Sequence, residues 1–177
     1  DDALVAVTCY IPAVSKDAQT SYVRNYTWEI TKSVAPESHT GFIGDPFSSE
    51  YTAAFDRTET DRDFVASGTI SVANPNPEAS MTVAVADMVG GATATLDCSG
   101  SLTVPAGGSA SCGYTLTLAD KTGGTNTATV TLNGVGFSAS AAYAFGEPTS
   151  TTGPAEIHVT DSQPDASTGW TAEDDWS

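Results

Sequence analysis
Between residues 3 and 160 one pattern keeps returning. Apolar and polar residues alternate in short runs rich in Val, Ile, Thr, Tyr and Trp, and each run stops at Gly, Pro or Asn. Alternation of period two puts one face of a strand inward and the other outward. The runs predict strands at 3–11, 21–32, 49–57, 63–73, 80–89, 92–98, 100–104, 109–119, 125–133, 136–145 and 155–160. Between them stand Pro12, Pro36, Gly44-Asp45-Pro46, Asn74-Pro75-Asn76-Pro77, Gly90-Gly91, Gly123-Gly124, Asn133-Gly134, Gly146 with Pro148, and Gly153-Pro154. No segment carries a sustained helical period with caps. Many short strands with turn signals between them predict an all-β chain folded as a β-sandwich.

At 177 residues the chain suits one domain and can bury a core without metals or staples. Its organisation reads as an N-terminal apolar strand at 1–14, a polar connector at 15–20 (SKDAQT beginning at Ser15), a sandwich at 21–161 and an acidic tail at 162–177. The front run, ALVAVTCYIPAV, is the most continuously apolar in the chain, and such a run is expected to be buried on both faces. The start at Asp1-Asp2 suits a mature end left by removal of a leader. No stretch of apolar residues is long enough to span a membrane as a helix.

The net charge is −16, from 22 acidic and six basic groups. Nucleic acid is therefore not an expected partner, because phosphate contacts need Lys and Arg. Anionic lipid surfaces are disfavoured for the same reason, and no membrane insertion is expected. A solubilising surface, life in high salt and calcium binding all remain open as readings of the acidity. Glu59, Asp61 and Asp63 in TETDRD have the spacing of oxygen ligands. They lack the Gly and the terminal Glu of an EF-hand, so a solvated loop is expected, with no cofactor.

Cys98 and Cys112 flank SGSLTVPAGGSAS. Read as a hairpin turning at Pro105, Ala106, Gly107 and Gly108, this stretch brings the two cysteines together, and a disulfide is expected. Two reduced core cysteines are the alternative. A loop of this length is worth about 3 kcal/mol in the chain-entropy model, and disulfides persist outside the cytosol. Cys9 has no partner of its own, and its apolar setting predicts burial.

Four stretches follow one another in a telling order: RNYTWEITKSVAPES, SGTISVANPNPEASMTVAVADMV, LDC with VPAGGSASCGY, and TNTATVTLNG. Over about residues 21–161 this order resembles extracellular domains repeated in bacterial and archaeal surface proteins, of the DUF11-type and prealbumin-like fold. The resemblance implies an Ig-like or prealbumin-like sandwich, an extracellular or cell-surface location and a non-catalytic role. A single copy with its own N-terminal apolar strand favours a free-standing subunit over a stalk repeat.

Motifs of hydrolases, P-loop enzymes, dinucleotide-binding proteins and zinc peptidases are absent, and no catalytic residue is assigned. His39 and His158 are far apart in sequence, and His158 reads as a surface strand residue. Asn25-Tyr26-Thr27 is a formal glycosylation sequon inside a predicted strand.

Strand parity singles out one constellation. It places Lys32 with Tyr26, Trp28 and Ile30, Asp87 with Met81, Val83 and Val85, and Asn126 with Ala128, Val130 and Leu132. An amine, a carboxyl and a carboxamide facing a core are the components of a self-forming Lys–Asn isopeptide crosslink, as in crosslinked surface domains of Gram-positive bacteria. Ordinary hydrogen bonding of buried polar groups is the alternative.

The function expected is a subunit of a pilus-like extracellular homopolymer. Leu4, Val5, Val7, Cys9 and Ile11 would form a strand donated to the next copy. Parity sets Leu4 and Ala6 on one face and Val5, Val7, Cys9 and Ile11 on the other. An adhesin or carbohydrate-binding module is the alternative, with Phe47, Tyr51, Trp170 and Trp176 as candidate binding residues.

Overall fold
In a computed structural model, which describes residues 4–160 and the backbone of 173–176, the alternating runs after Pro12 form strands. They are β1 (Ala13–Lys16), β2 (Gln19–Ala35), β3 (Glu50–Ala73), β4 (Met81–Val89), β5 (Ala92–Thr93), β6 (Thr95–Leu96), β7 (Ser101–Val104), β8 (Ser109–Thr117), β9 (Gly124–Leu132), β10 (Val135–Tyr143), β11 (Ser150–Thr152), β12 (Ile157–Thr160) and β13 (Glu173–Trp176). A six-stranded sheet has the order β11-β2-β3-β8-β6, with β1 also on β3. A five-stranded sheet has the order β10-β9-β4-β5, with β7 also on β4, and β12 pairs with β13. The protein is an all-β sandwich of two packed sheets.

The chain divides into two units. The first takes the residues up to Val23 and Arg62–Thr149, and the second takes Arg24–Asp61 and the chain from Ser150. β2 and β3 each contribute to both.

The first unit holds the core. Ile70 and Val72 of β3, Cys112 and Tyr114 of β8, Val83, Val85 and Val89 of β4, Val104 of β7, and Ala128 and Val130 of β9 are all buried in one cluster. The burial of β4 alternates without a break from Val83 to Val89, and that regularity is what period-two patterning predicts for a half-buried strand. Each fully buried Val or Ile contributes about 1.5–3 kcal/mol.

The second unit is built differently. Arg24 Nε and Asp61 Oδ1 lie 2.8 Å apart, Arg24 Nη2 and Asp61 Oδ2 lie 3.1 Å apart, and Arg57 Nη2 reaches Glu59 Oε1 at 3.2 Å. Trp28 Nε1 donates to the carbonyl of Pro154 at 2.9 Å, and Thr152 Oγ1 to Asn25 Oδ1 at 2.7 Å. Phe42, Ile43, Phe47 and Tyr51 are exposed.

Several expectations need correction. The connector placed at 15–20 is mostly strand: Ser15 and Lys16 belong to β1, and β2 begins at Gln19. Backbone pairing with β3 outweighs the polarity of these side chains, with Ala13 opposite Ala73 and Lys16 opposite Ile70. The strands expected at 49–57 and 63–73 are a single one, β3. The acidic TETDRD stretch is carried inside it because arginines pair with its carboxylates, and Asp63, at φ 59, marks the local irregularity. Part of the expected tail, Glu173–Trp176, pairs with β12, with Trp176 opposite Ile157. Residues 4–11, expected as a strand, lie in none, and Cys9, expected to be buried, is exposed. Among the described residues no strand pairs with that segment. Trp170 and the side chain of Trp176 lie outside the described residues.

Candidate functional site
The Cys98–Cys112 disulfide is present, with Cα atoms 5.4 Å apart. Its geometry is not that of the expected hairpin. β7 pairs with β4 of one sheet and β8 with β3 of the other. The link arises because β6 runs antiparallel to β8, with Thr95 opposite Thr115 and Leu96 opposite Tyr114. Continuing that register sets Cys98 against Cys112. Asp97 stands beside the two sulfurs. With the sulfurs bonded to each other and Asp97 Oδ1 accepting from the Gly113 amide at 2.8 Å, the group works as a structural clasp.

A second cluster is wholly buried. β4 points Asp87 inward between Val85 and Val89, and β9 points Asn126 inward beside Ala128. The register pairs Asp87 with Ala128 and Val89 with Asn126. Asp87 and Asn126 are therefore diagonal neighbours on one face, a separation that side chains span. Asp87 is 1% exposed and Asn126 0%.

The amine comes from β1. Alternation there turns Val14 and Lys16 inward, and Lys16 Nζ lies 2.5 Å from Asp87 Oδ1, with both side chains sealed from solvent. Nζ also sits 4.1 Å from the centroid of the Tyr114 ring. The end of β1 is fastened just beyond. Asp17 Oδ1 accepts from the Thr69 amide at 2.7 Å, the Asp17 amide donates to the Thr69 carbonyl at 3.2 Å, and Tyr114 Oη donates to the Asp17 carbonyl at 2.8 Å. Gly68 makes room for this. A Cβ there would stand 2.5 Å from Asp17 Oδ1 and 2.7 Å from the Asp17 carbonyl oxygen.

Burial pushes the Lys16 amine below its ordinary value, against the opposing pull of Asp87. Burial pushes the Tyr114 phenol up. The neighbouring Asp87 and Asp17 add to that, and the approach of Asn126 opposes it. The Tyr114 hydroxyl hydrogen nevertheless goes to Asp17. Among the described residues, Asp87 Oδ2 and both polar atoms of the Asn126 carboxamide have no hydrogen-bond partner. Each such buried orphan costs about 1–3 kcal/mol.

Parity turns Asp87 and Asn126 inward, and both are buried, but the amine beside them is that of Lys16 and not that of Lys32. Lys32 is exposed in the second unit, its Nζ 5.2 Å from the Tyr51 ring centroid. Its face of β2 has Tyr26 and Trp28 half-buried and Ile30 exposed, so alternation there does not mark a core. Lys16 was missed because it sits in a polar stretch read as a connector. The signal was the Val14–Lys16 spacing, which continues the strand.

The remaining candidates stay apart. His39 Nε2 and Ser49 Oγ lie 2.8 Å from each other in a hydrogen bond, and His158 is exposed on β12. Glu59 and Asp61 are engaged by Arg24, and Asp63 by Arg62, so arginines occupy the carboxylates considered for calcium. Among the described residues no helix is long and apolar enough to cross a membrane. No family model, no curated protein and no solved structure matches this chain.

Proposed function
We propose that this chain is a non-catalytic structural subunit of an extracellular, pilus-like fibre, joined to the next copy by β-strand complementation through residues 4–11. The observation that carries the reading is the state of that segment. Leu4 is 99% exposed, Val5 83%, Val7 78% and Ile11 64%, and none of them lies in a strand. Apolar side chains left in water each forgo about 1.5–3 kcal/mol available on burial. Ala13 pairs with Ala73, the last residue of β3, so the chain before Ala13 runs past the end of its own sheet. Pro12 cannot donate to a ladder, and it stands where the chain departs. β10 ends the hydrogen-bonded strand order of its sheet and is nine residues long, and a donated segment would pair with the part of it that β1 leaves open. A donated strand makes a head-to-tail contact that does not close, and such contacts build fibres. The disulfide supports a location outside the cytosol. The finer assignment, an Ig-like or prealbumin-like surface domain, belongs to the same proposal.

One observation favours a second reading, an adhesin or carbohydrate-binding module. Phe47 and Tyr51 are exposed in the second unit, as are Phe42 and Ile43. Solution size separates the two readings. A fibre subunit sediments as polymer at high concentration, and a binding module stays monomeric. Removing residues 1–11, which spares β1, abolishes polymer, and an excess of a peptide of residues 4–11 shortens it. A full-length chain that remains monomeric at high concentration overturns the fibre reading.

A further inference from the structure
The Asn126 carboxamide is hard to explain as a static element of the core. It is fully buried, with neither its nitrogen nor its oxygen hydrogen-bonded among the described residues, and beside it a lysine and an aspartate are sealed from water. Buried polar groups are nearly always paired, and an orphan carboxamide calls for a reason. The adjacent phenol gives its only hydrogen to the Asp17 carbonyl, so it offers the carboxamide oxygen no donor.

The surroundings supply a chemical reason. Tyr114 touches both ends of the group: Lys16 Nζ lies over its ring, and Asn126 approaches its hydroxyl. Asp87 binds Nζ on one side and is the diagonal neighbour of Asn126 on the other. Its second oxygen, Oδ2, is unpartnered. An amine, a proton carrier and a carboxamide are thus gathered in a site closed to bulk solvent, held on three strands whose registers fix them. Holding reactants in place converts a reaction that is very slow in solution into an intramolecular one.

We propose that Lys16 and Asn126 are joined by an amide bond that the folded chain forms by itself, with Asp87 moving the protons. Transfer of one proton from the Lys16 ammonium to Asp87 leaves a neutral amine beside a carboxylic acid. The amine lone pair attacks Asn126 Cγ while the acid protonates the carboxamide oxygen. Asp87 then takes a proton from Nζ and delivers it to Nδ2. The Cγ–Nδ2 bond breaks as the hydroxyl on Cγ returns its proton to Asp87, ammonia leaves, and the Nζ–Cγ amide remains beside a protonated Asp87. One bond is exchanged for another, one ammonia is lost, and no oxidant, metal or outside reactant takes part. The product removes both orphan nitrogen chemistry and buried charge from the core. It ties β1 of the six-stranded sheet to β9 of the five-stranded one. The proposal does not depend on the fibre reading, since a crosslinked monomer would satisfy it.

Intact mass spectrometry of the purified, unfolded chain tests it. The wild type is expected to be one ammonia lighter than its sequence, after allowance for the disulfide hydrogens. Proteolysis should give a branched peptide joining Lys16 to Asn126. Lys16→Arg, Asp87→Asn and Asn126→Ala are each expected at full mass. A wild-type chain at full mass, with the disulfide formed, overturns the proposal. So does an ammonia loss that maps to a linear peptide, as a succinimide at Asn133-Gly134 would. The wild-type measurements decide the matter even where a variant fails to fold.

Discussion

The two units use the same strands for opposite ends. In the first, β3 carries Ala66, Ile70 and Val72, all buried against the facing sheet. In the second, the earlier part of β3 and the later part of β2 bury none of their described residues fully. Cohesion there comes from Arg24 and Arg57 on carboxylates, and from hydrogen bonds such as Trp28 to Pro154. Alternation alone makes a strand. A core requires a second sheet to cover one of its faces, and the first unit has one.

The largest test of this contrast replaces one isoleucine in each unit. Ile70→Ala removes a side chain of zero exposure and is expected to cost about 2–5 kcal/mol in denaturant unfolding. Ile30→Ala, at a position 54% exposed, is expected to stay within about 0.5 kcal/mol. Equal costs would break the contrast.

The disulfide comes next. Replacing Cys98 and Cys112 together by Ser is expected to cost about 3 kcal/mol, through a loop closed over 14 residues. Hydrogen exchange should show the loss of protection in β6, β8 and residues 65–73 of β3, not in residues 24–61. Uniform loss across both units would mean that they unfold as one.

The smallest expected effect is on pH dependence. Tyr114 holds its proton above the ordinary value of 10.0 because burial disfavours the phenolate. The unfolded chain ionises there first, so this contribution is complete below pH 10.0 and is lost as the pH rises through the folded value. Tyr114→Phe should flatten the alkaline limb of stability against pH. An unchanged limb would place its origin elsewhere.

Much of this was legible in the residues. The period-two runs of β4 and β9 gave away the inward positions of Asp87 and Asn126, because a strand in a two-sided sandwich obeys its pattern strictly. Lys32 misled because the same pattern continues along β2 beyond Val23, where none of the described side chains is fully buried. Lys16 was hidden because four residues, AVSK, are too few to establish a period. The disulfide followed from proximity in sequence, although β6 and not β7 is the strand that brings it about. Pairing partners are set by long-range packing, and a single sequence does not record that packing directly.

The six cations have a collective consequence. Lys16 faces Asp87, Arg24 faces Glu59 and Asp61, Arg57 faces Glu59, Arg62 faces Asp63, Lys32 lies over Tyr51, and Lys121 lies over Tyr22. Four of the six cations face carboxylates and two lie over rings, and the chain keeps a net charge of −16. Two copies in dilute buffer meet an ionic atmosphere that holds them apart. At about 0.15 M salt that repulsion decays within roughly 8 Å, while burial of an apolar segment is little affected by such screening. Ionic strength therefore sets how often two chains of this net charge meet.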